Sequence, residues 1–133
     1  MKTLLLIDDD PAFQYSFQRA CKKIKAVGTL QVANNGAEAV VLLLECIKFN
    51  LPAPQYIFVD INMPVMNGFE FIEKFQELKD EFSSLTSIIV LILTSSTQTQ
   101  DKEKAFSSGL VKSYITKPDS MLELIGTIKD AIW

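Results

Sequence analysis

The stretch LLLIDDDP (residues 4–11) joins an apolar run directly to three carboxylates and a proline. Its apolar part is continuous rather than alternating, which is typical of a strand that is buried on both faces of a parallel sheet. Adjacent carboxylates repel one another, and a carboxylate at the end of a buried strand loses hydration. The chain therefore needs a counter-charge close to the end of this strand.

Four further apolar runs are rich in β-branched residues and predict strands: LQVA (30–33), YIFVD (56–60), IIVLIL (88–93) and SYIT (113–116). Apolar periodicity and caps predict helices between and after the strands, over residues 11–24, 36–49, 68–82, 99–108 and 119–132. Strands that alternate with helical crossovers form a parallel sheet with helices on both faces. We therefore expect an α/β fold in which residues 1–133 form a single doubly wound domain with five strands and five helices.

Capping signals mark several of the predicted helix ends. Asp10 and Pro11 suit the N-cap and the first position of the first helix. Asn35, followed three residues later by Glu38, resembles a capping box for the second helix. Gly109 is placed to end the fourth helix.

Composition limits the classes of partner. Of the 133 residues, 48% are hydrophobic and 22% are charged, which is typical of a globular chain. The net charge is −3, and the basic residues form no cluster beyond Lys22, Lys23 and Lys25, so nucleic acid is not expected as a partner. The chain contains no histidine, which removes the commonest general base and the commonest transition-metal ligand.

The sequence indicates neither a targeting segment nor a disulfide. Its apolar runs are too short for a signal-peptide core or a membrane span. Cys21 and Cys46 lie in helical apolar patterns and are expected to be buried free thiols. These features predict a soluble cytoplasmic protein that does not contact a membrane.

Carboxylate, hydroxyl or ammonium side chains lie at the carboxyl ends of four of the five predicted strands, and the second strand contributes no charge there. In a doubly wound sheet the ligand site lies beyond the carboxyl ends of the strands, so residues at those ends become neighbours. These residues are Asp8, Asp9 and Asp10 after the first strand, Asp60 at the end of the third, Thr94 and Ser95 after the fourth, and Lys117 after the fifth. Carboxylates that share a rim raise each other's pKa values unless a cation lies among them. Mg²⁺ is the expected cation, because it takes oxygen ligands from carboxylates, water and phosphoryl groups.

The same residue types suit phosphoryl transfer. An ionised aspartate can attack phosphorus and form an acyl phosphate. A lysine can hold one anionic oxygen and a threonine hydroxyl can donate to another, and together with a metal ion they form an electrostatic clamp. The grouped acids are therefore interpreted as a metal site.

Four segments carry a family resemblance: IDDDP (7–11), IFVDINMPVMNG (57–68), LTSS (93–96) and YITKP (114–118). Together they resemble the signature segments of response-regulator receiver domains, the CheY-like family, in their order and spacing. Each segment alone is a weak signal, whereas the ordered set on a matching strand–helix pattern is specific. The resemblance covers essentially the whole chain and implies a flavodoxin-like sheet with strand order 2-1-3-4-5.

The resemblance also implies roles for the acids. Asp60 matches the phosphoacceptor of the family. Asp9 matches a direct Mg²⁺ ligand, and Asp8 matches a residue that assists through water. Asn62, two residues after Asp60, matches the position that gives a backbone carbonyl to the metal. Asp10 fits the family less as a ligand than as the helix cap.

Three further residues match the switch and the phosphoryl clamp of the family. Thr94 matches the switch hydroxyl and Lys117 the phosphoryl-binding lysine. Tyr114 matches the switch aromatic residue, which turns inward when the threonine moves. The resemblance further implies a cis bond between Lys117 and Pro118, since that turn aims the lysine.

A receiver of this kind implies two protein partners. A histidine kinase carrying a phosphohistidine is the expected phosphodonor. No output domain is expected after Trp133, so an unknown downstream protein is expected to bind the phosphorylated form. Slow hydrolysis of its own acyl phosphate is the only enzymatic act expected. The chain is expected to be a monomer or a weak dimer.

Two alternatives from other classes remain open at this point. Asp8, Asp10, Thr94 and Lys117 mimic the first three motifs of a haloacid-dehalogenase-type phosphatase that would use Asp8 as its nucleophile. That class needs a further acidic pair after the lysine, where only Asp119 is available, and it gives Asp60 no role. The second alternative is a protein-binding module on the same fold that is not phosphorylated.

Overall fold

Strands and helices alternate throughout residues 1–132, the part of the chain that the computed structural model describes. The strands are β1 (Lys2–Ile7), β2 (Val27–Ala33), β3 (Tyr56–Val59), β4 (Ile89–Thr94) and β5 (Val111–Thr116). The helices are α1 (Pro11–Lys22), α2 (Gly36–Lys48), α3 (Gly68–Glu81), α4 (Thr99–Ser107) and α5 (Met121–Ile132). A short 3-10 helix at Ser83–Leu85 precedes β4.

The five strands form one parallel sheet in the order β2-β1-β3-β4-β5. This order and the alternation of strands with helices confirm the predicted α/β fold. Several element ends differ from the prediction by one to three residues, and for two of them the contacts give the reason. The edge strand β2 begins at Val27, before its apolar run, because Val27 pairs with Lys2 of β1. Helix α5 begins at Met121, because the Ser120 hydroxyl accepts a hydrogen bond from the Glu123 N–H at 3.1 Å and caps the helix there.

Helices cover both faces of the sheet, which explains the continuous apolar runs. Leu4 and Leu6 of β1 pack on the face that α1 and α5 cover, and Leu5 and Ile7 pack on the face that α2 and α3 cover. All four side chains are at most 1% exposed. Each of them contributes roughly 1.5–3 kcal/mol by burial, so this strand is held firmly up to the residue before Asp8.

Two of the predicted helix ends are confirmed as stated. The Asp10 carboxylate accepts a hydrogen bond from the Ala12 N–H at 3.0 Å and caps α1, with Pro11 in the first turn. Gly109, with φ of 75°, follows the end of α4 in the left-handed region. Both caps satisfy backbone groups that the helices leave without partners.

The capping boxes are distributed differently from the prediction. Asn35 caps α2 by accepting from the Glu38 N–H at 3.0 Å. The Glu38 carboxylate does not complete the box, because it accepts from the backbone and side-chain amides of Asn34 instead, at 3.2 and 3.1 Å. A complete box that the sequence interpretation missed lies at the start of α3, where Asn67 and Glu70 accept from each other's backbone N–H groups.

The Lys117–Pro118 peptide bond is trans, so the predicted cis bond is wrong. The trans isomer of a bond before proline is the more stable one unless the surrounding structure favours cis. Here the Lys117 N–H donates to the Thr94 carbonyl at 2.8 Å, and the side chain reaches the sheet edge with the bond in its trans form.

Val65 occupies a strained turn in the loop between β3 and α3. Its φ is 67°, and the Met66 N–H donates to the Pro64 carbonyl at 2.8 Å, so Val65 is the centre of a three-residue turn. A β-branched residue in this region is costly, by roughly 1–3 kcal/mol. The side chain is 82% exposed and buries little in return.

Replacing Val65 with glycine is therefore expected to raise the free energy of unfolding by about 1 kcal/mol, since relief of strain exceeds the added chain entropy of glycine. Urea titration followed by circular dichroism measures the change. Val41→Gly is the matched control, because Val41 is also exposed but lies within α2. The control should lose roughly 0.5 kcal/mol of stability, because valine is itself a poorer helix former than alanine. A loss of stability in the Val65 variant as well would contradict the strain.

The two cysteines are buried free thiols, as predicted. Burial raises the pKa of Cys21 to about 12 and also raises the pKa of Cys46, to which the nearby Glu45 charge contributes. Both thiols are therefore protonated and unreactive in the folded chain. Within residues 1–132, no helix combines the length and apolar character that crossing a membrane requires.

Candidate functional site

The carboxyl edge of the sheet brings together residues that are distant in sequence. Ile7 of β1 pairs with Val59 of the neighbouring β3, so Asp8 and Asp60 leave the sheet side by side. The Asp60 N–H donates to the Ile7 carbonyl at 2.9 Å and extends this pairing by one residue. Lys117 follows β5 at the same edge.

Three carboxylates and one ammonium group meet at this edge. Carboxylate oxygens of Asp8, Asp9 and Asp60 lie within 4.8 Å of one another. The Lys117 Nζ lies 2.8 Å from Asp8 Oδ2 and 3.2 Å from Asp60 Oδ2, where it donates a hydrogen bond. Asp8 and Asp60 are buried, whereas Asp9 lies at the solvent-facing side of the group.

The electrostatics of this group favour a cation. Burial raises the pKa of Asp8, although the Lys117 ammonium and the Asp10 N–H, which donates to Asp8 Oδ1 at 2.9 Å, oppose that rise. Burial lowers the pKa of Lys117, but the contacts and charges of Asp8 and Asp60 outweigh it, so the net shift is upward and the ammonium stays protonated. Three negative charges against one positive charge leave the group short of positive charge.

The carboxylates of this group fit a divalent metal ion. Asp8 Oδ2 is buried and, apart from its ion pair with Lys117, has no hydrogen-bond partner within the described part of the chain. Its contact with the Lys117 ammonium, at 2.8 Å, is an ion pair. An unsatisfied buried carboxylate oxygen beside two further carboxylates is the ligand set that hard cations such as Mg²⁺ prefer.

The predicted switch residues lie beside this group. Thr94, at the end of β4, is fully buried, and its hydroxyl accepts from the Ser96 N–H at 3.3 Å. Tyr114 of β5 is half-buried, and its hydroxyl donates to the Ser96 carbonyl at 2.9 Å. The Ser96 hydroxyl in turn donates to Asp101 of α4 at 2.6 Å. The segment after β4 thus links β5 to the start of α4.

Asn62 lies in the loop after β3 with an exposed side chain. It is two residues beyond Asp60. The structure thus gathers Asp8, Asp9, Asp60 and Lys117 at one point, and it places Thr94, Tyr114 and Asn62 on the segments that border them.

Three residues that shape the site were missed as such by the sequence interpretation. The Gly68 N–H donates to the Ile61 carbonyl at 2.9 Å, and a Cβ at Gly68 would overlap the Asp60 carbonyl. The Gln14 amide donates to the Asp8 carbonyl at 2.5 Å and holds the turn after β1. The Phe13 ring, whose spacing from Phe17 indicates only the apolar face of a helix, lies under the Lys117 ammonium. The Asn67–Gly68 pair at the end of a loop was the signal available for the glycine.

Asp8 is poorly placed to act as a nucleophile. It is 0% exposed, one carboxylate oxygen accepts from the Asp10 N–H, and the other pairs with Lys117. Asp60, which the phosphatase alternative leaves without a role, has 8% of its side chain exposed beside the same lysine. This arrangement does not favour the haloacid-dehalogenase alternative.

Comparison with known proteins agrees with the geometry. The sequence profile of the family described as the response regulator receiver domain matches residues 4–129. The chain is 31% identical over 130 residues to the probable transcriptional regulator ycf29 of Porphyra purpurea. The matched region covers 98% of this chain and 56% of that protein. The chain therefore spans little more than half the length of this curated relative.

Solved structures show the same likeness. The phosphorylated cyanobacterial phytochrome response regulator RcpA superposes with a TM-score of 0.80 at 25% identity, over 98% of this chain and 90% of RcpA. The Mn²⁺-bound response regulator Rcp1 superposes with a TM-score of 0.75 at 26% identity, over 98% of this chain and 91% of Rcp1.

The profile match extends over nearly the whole chain, well beyond what a shared motif would give. Receiver domains are phosphoacceptor signalling modules rather than enzymes in the usual sense, and they take phosphate from histidine kinases. They bind Mg²⁺ or Mn²⁺ at an acidic pocket, and an aspartate cluster of that kind is present here. The chain belongs to the response regulator receiver domains of two-component signalling.

Proposed function

We propose that Asp60 accepts a phosphoryl group from a partner histidine kinase and that the phosphorylated chain binds a downstream protein. One observation carries the proposal: the Lys117 ammonium bridges the buried carboxylates of Asp8 and Asp60 at the edge where three aspartates converge. A purely structural ion pair does not need two further carboxylates beside it. A site that must hold a cation and an incoming phosphoryl group does.

In the proposed transfer, a carboxylate oxygen of Asp60 attacks phosphorus and forms an acyl phosphate. The bond between phosphorus and the donor breaks, and its electron pair returns to the donor, which is an imidazole nitrogen when the donor is a phosphohistidine. Lys117 keeps its proton and pairs with a phosphoryl oxygen in place of the Asp60 carboxylate. The Thr94 hydroxyl donates to another phosphoryl oxygen.

Asp8, Asp9 and Asp60, with the backbone carbonyl of Asn62, are the residues that would hold Mg²⁺. When bound, Mg²⁺ neutralises charge on the transferring phosphoryl group and orients it toward the acceptor. Asp9 supports this assignment because its carboxylate is accessible, and Asp8 because one of its buried oxygens lacks a hydrogen bond.

The acyl phosphate adds negative charge and new acceptor oxygens beside Thr94 and Lys117. When Thr94 turns toward these oxygens, its hydroxyl no longer accepts the hydrogen bond from the Ser96 N–H. Tyr114 holds the Ser96 carbonyl, so the change passes to β5 and, through Ser96, to α4. The result is a population shift between two packings of this face, which the downstream partner distinguishes.

Intact-mass spectrometry tests the proposal. The chain is incubated with Mg²⁺ and acetyl phosphate, and we expect it to gain one phosphoryl group that hydroxylamine removes, as it removes acyl phosphates. The group should also disappear slowly after removal of the donor, through hydrolysis by the chain itself. A chain that turns over the donor without gaining mass is a phosphatase, and a chain that does neither is a binding module without phosphorylation; either outcome rejects the proposal.

Metal binding has its own readout in the absence of a phosphodonor. At a Mg²⁺ concentration of 100 times its Kd, the folded chain should gain about 2.7 kcal/mol of stability, which raises the melting temperature by several degrees. Asp9→Asn removes a ligand and is expected to abolish this rise. Asp10→Asn is the matched control, since asparagine caps a helix as well as aspartate does. An equal loss in both variants would indicate a general charge effect instead of a metal site.

A further inference from the structure

We propose that Phe13 is a positioning residue for Lys117, whose ammonium it holds over the site by a cation–π contact. The proposal deepens the proposed function, and it rests on that function only where phosphoryl transfer is concerned. The contact itself is a property of the chain without metal or phosphate. It adds to the phosphoryl clamp a residue that none of the four signature segments contains.

The geometry of the contact is close and well anchored. The Lys117 Nζ lies 4.4 Å from the centroid of the Phe13 ring. The ring is half-buried in the first turn of α1 and packs against Phe17 with ring centroids 6.1 Å apart. Phe17 is fully buried and meets the edge of Phe58 in β3 at 5.2 Å. Phe13 is thus tied through two core rings to the strand that precedes Asp60.

This contact differs from the other cation–π pairs of the described chain. Their distances run from 4.5 Å for Lys104 over Phe69 to 5.8 Å for Lys2 over Tyr56. Lys104 is exposed, whereas only 15% of the Lys117 side chain is exposed. Cation–π attraction is stronger where the cation has lost water. The Lys117 contact therefore belongs to the stronger end of the range.

The ring also differs in kind from the other two groups that the structure places against the ammonium. Asp8 and Asp60 are carboxylates, which a divalent ion and an incoming phosphoryl group both engage. As those contacts are rearranged, the aromatic face continues to attract the ammonium, since it competes for no metal ligand. Phe13 therefore keeps the lysine at the rim while its partners change from two carboxylates to a phosphoryl oxygen.

Two substitutions at one position separate this role from simple packing. Phe13→Leu keeps an apolar side chain but removes the aromatic face, and the rate of phosphorylation by acetyl phosphate is expected to fall about tenfold. Phe13→Tyr keeps the face and should retain the rate within about twofold. Tyr15→Leu is the matched control, since it removes an exposed ring of the same helix that lies against Arg19. Its rate should be unchanged.

A second readout needs neither metal nor donor. In the NMR spectrum of the metal-free chain, the ε-methylene protons of Lys117 should be shifted upfield by the ring current, with the signal assigned by its absence in Lys117→Arg. The shift should vanish in Phe13→Leu and persist in Phe13→Tyr. An unshifted signal in the unmodified chain, or equal rates for the leucine and tyrosine variants, would overturn the proposal.

The two readouts keep the proposals apart. If the unmodified chain takes no phosphoryl group but its Lys117 signal is shifted as described, the proposed function fails while the cation–π contact stands. If the chain is phosphorylated and the signal is unshifted, the role of Phe13 is rejected and the proposed function is unaffected.

Discussion

Replacing Asp60 with asparagine is expected to abolish phosphorylation completely, so that the chain gains no mass with Mg²⁺ and acetyl phosphate. A neutral amide oxygen is not a nucleophile that can form an acyl phosphate, and the neighbouring Asp8 is not placed to substitute for it. Asp8 is buried and held by Lys117 and the Asp10 N–H.

The fold should survive this change, which makes the loss interpretable. Asparagine is nearly isosteric with aspartate, and its carbonyl oxygen can still accept the hydrogen bond that the Ile61 N–H donates to Asp60 Oδ1 at 2.7 Å. One contact of Lys117 weakens, while the repulsion that Asp60 exerts on Asp8 disappears. The melting temperature is therefore expected to stay within a few degrees of the original.

Asp10→Asn again serves as the control, because Asp10 is an exposed carboxylate two residues from Asp8 that caps α1. The Asp10→Asn variant should be phosphorylated on Asp60 at the rate of the unmodified chain. If Asp60→Asn still gained one phosphoryl group, the acceptor would be another residue, and peptide mapping would identify it. That outcome would contradict the assignment of Asp60 as the phosphoacceptor but would not affect the fold or the family.

The sequence predicted the sheet and the meeting of the acids with Lys117 for the same physical reason. Strands buried on both faces must be apolar throughout, so the residue at which polarity returns marks the carboxyl edge of the sheet. Asp8 and Asp60 are such residues, and register pairing then makes them neighbours. Burial could be inferred from the pattern because it acts on every residue of the strand.

What the sequence did not predict depends on single contacts. Glu38 turned to Asn34 rather than completing the box with Asn35, a choice between donors that lie one residue apart. The cis and trans isomers of the Lys117–Pro118 bond differ only slightly in free energy, so the surrounding structure determines which one forms. The position of Phe13 four residues before Phe17 indicates an apolar helix face, but periodicity does not identify the charge that a ring at the end of that face will meet.

The role of Gly68 is another feature that depends on a single contact and that the sequence did not predict. Its replacement tests how the loop between β3 and α3 supports the site. The Gly68 N–H donates to the Ile61 carbonyl, and its Cα lies so close to the Asp60 carbonyl that a methyl group would overlap backbone atoms. Neither the start of α3 nor the end of β3 can move without disturbing buried side chains such as Phe71 and Val59.

Gly68→Ala is accordingly expected to destabilise the chain by about 3 kcal/mol, the upper range for forcing extra atoms into a packed site. The displaced backbone carries Asp60 with it, and phosphorylation by acetyl phosphate should fall about a hundredfold in the fraction that remains folded. Urea titration gives the stability, and intact mass at a temperature where the variant is folded gives the rate.

Gly126→Ala in α5 is the matched control, since a Cβ there meets no atom within 4 Å. The same substitution in an open helical position should stabilise the chain by up to about 1 kcal/mol and leave the rate unchanged. A loss of stability in Gly68→Ala together with a gain in Gly126→Ala would show why position 68 requires glycine. The reason would be the close approach to the Asp60 carbonyl and not helix propensity. A stable Gly68→Ala variant with the original rate would show that the loop can yield, and that Asp60 is positioned by β3 alone.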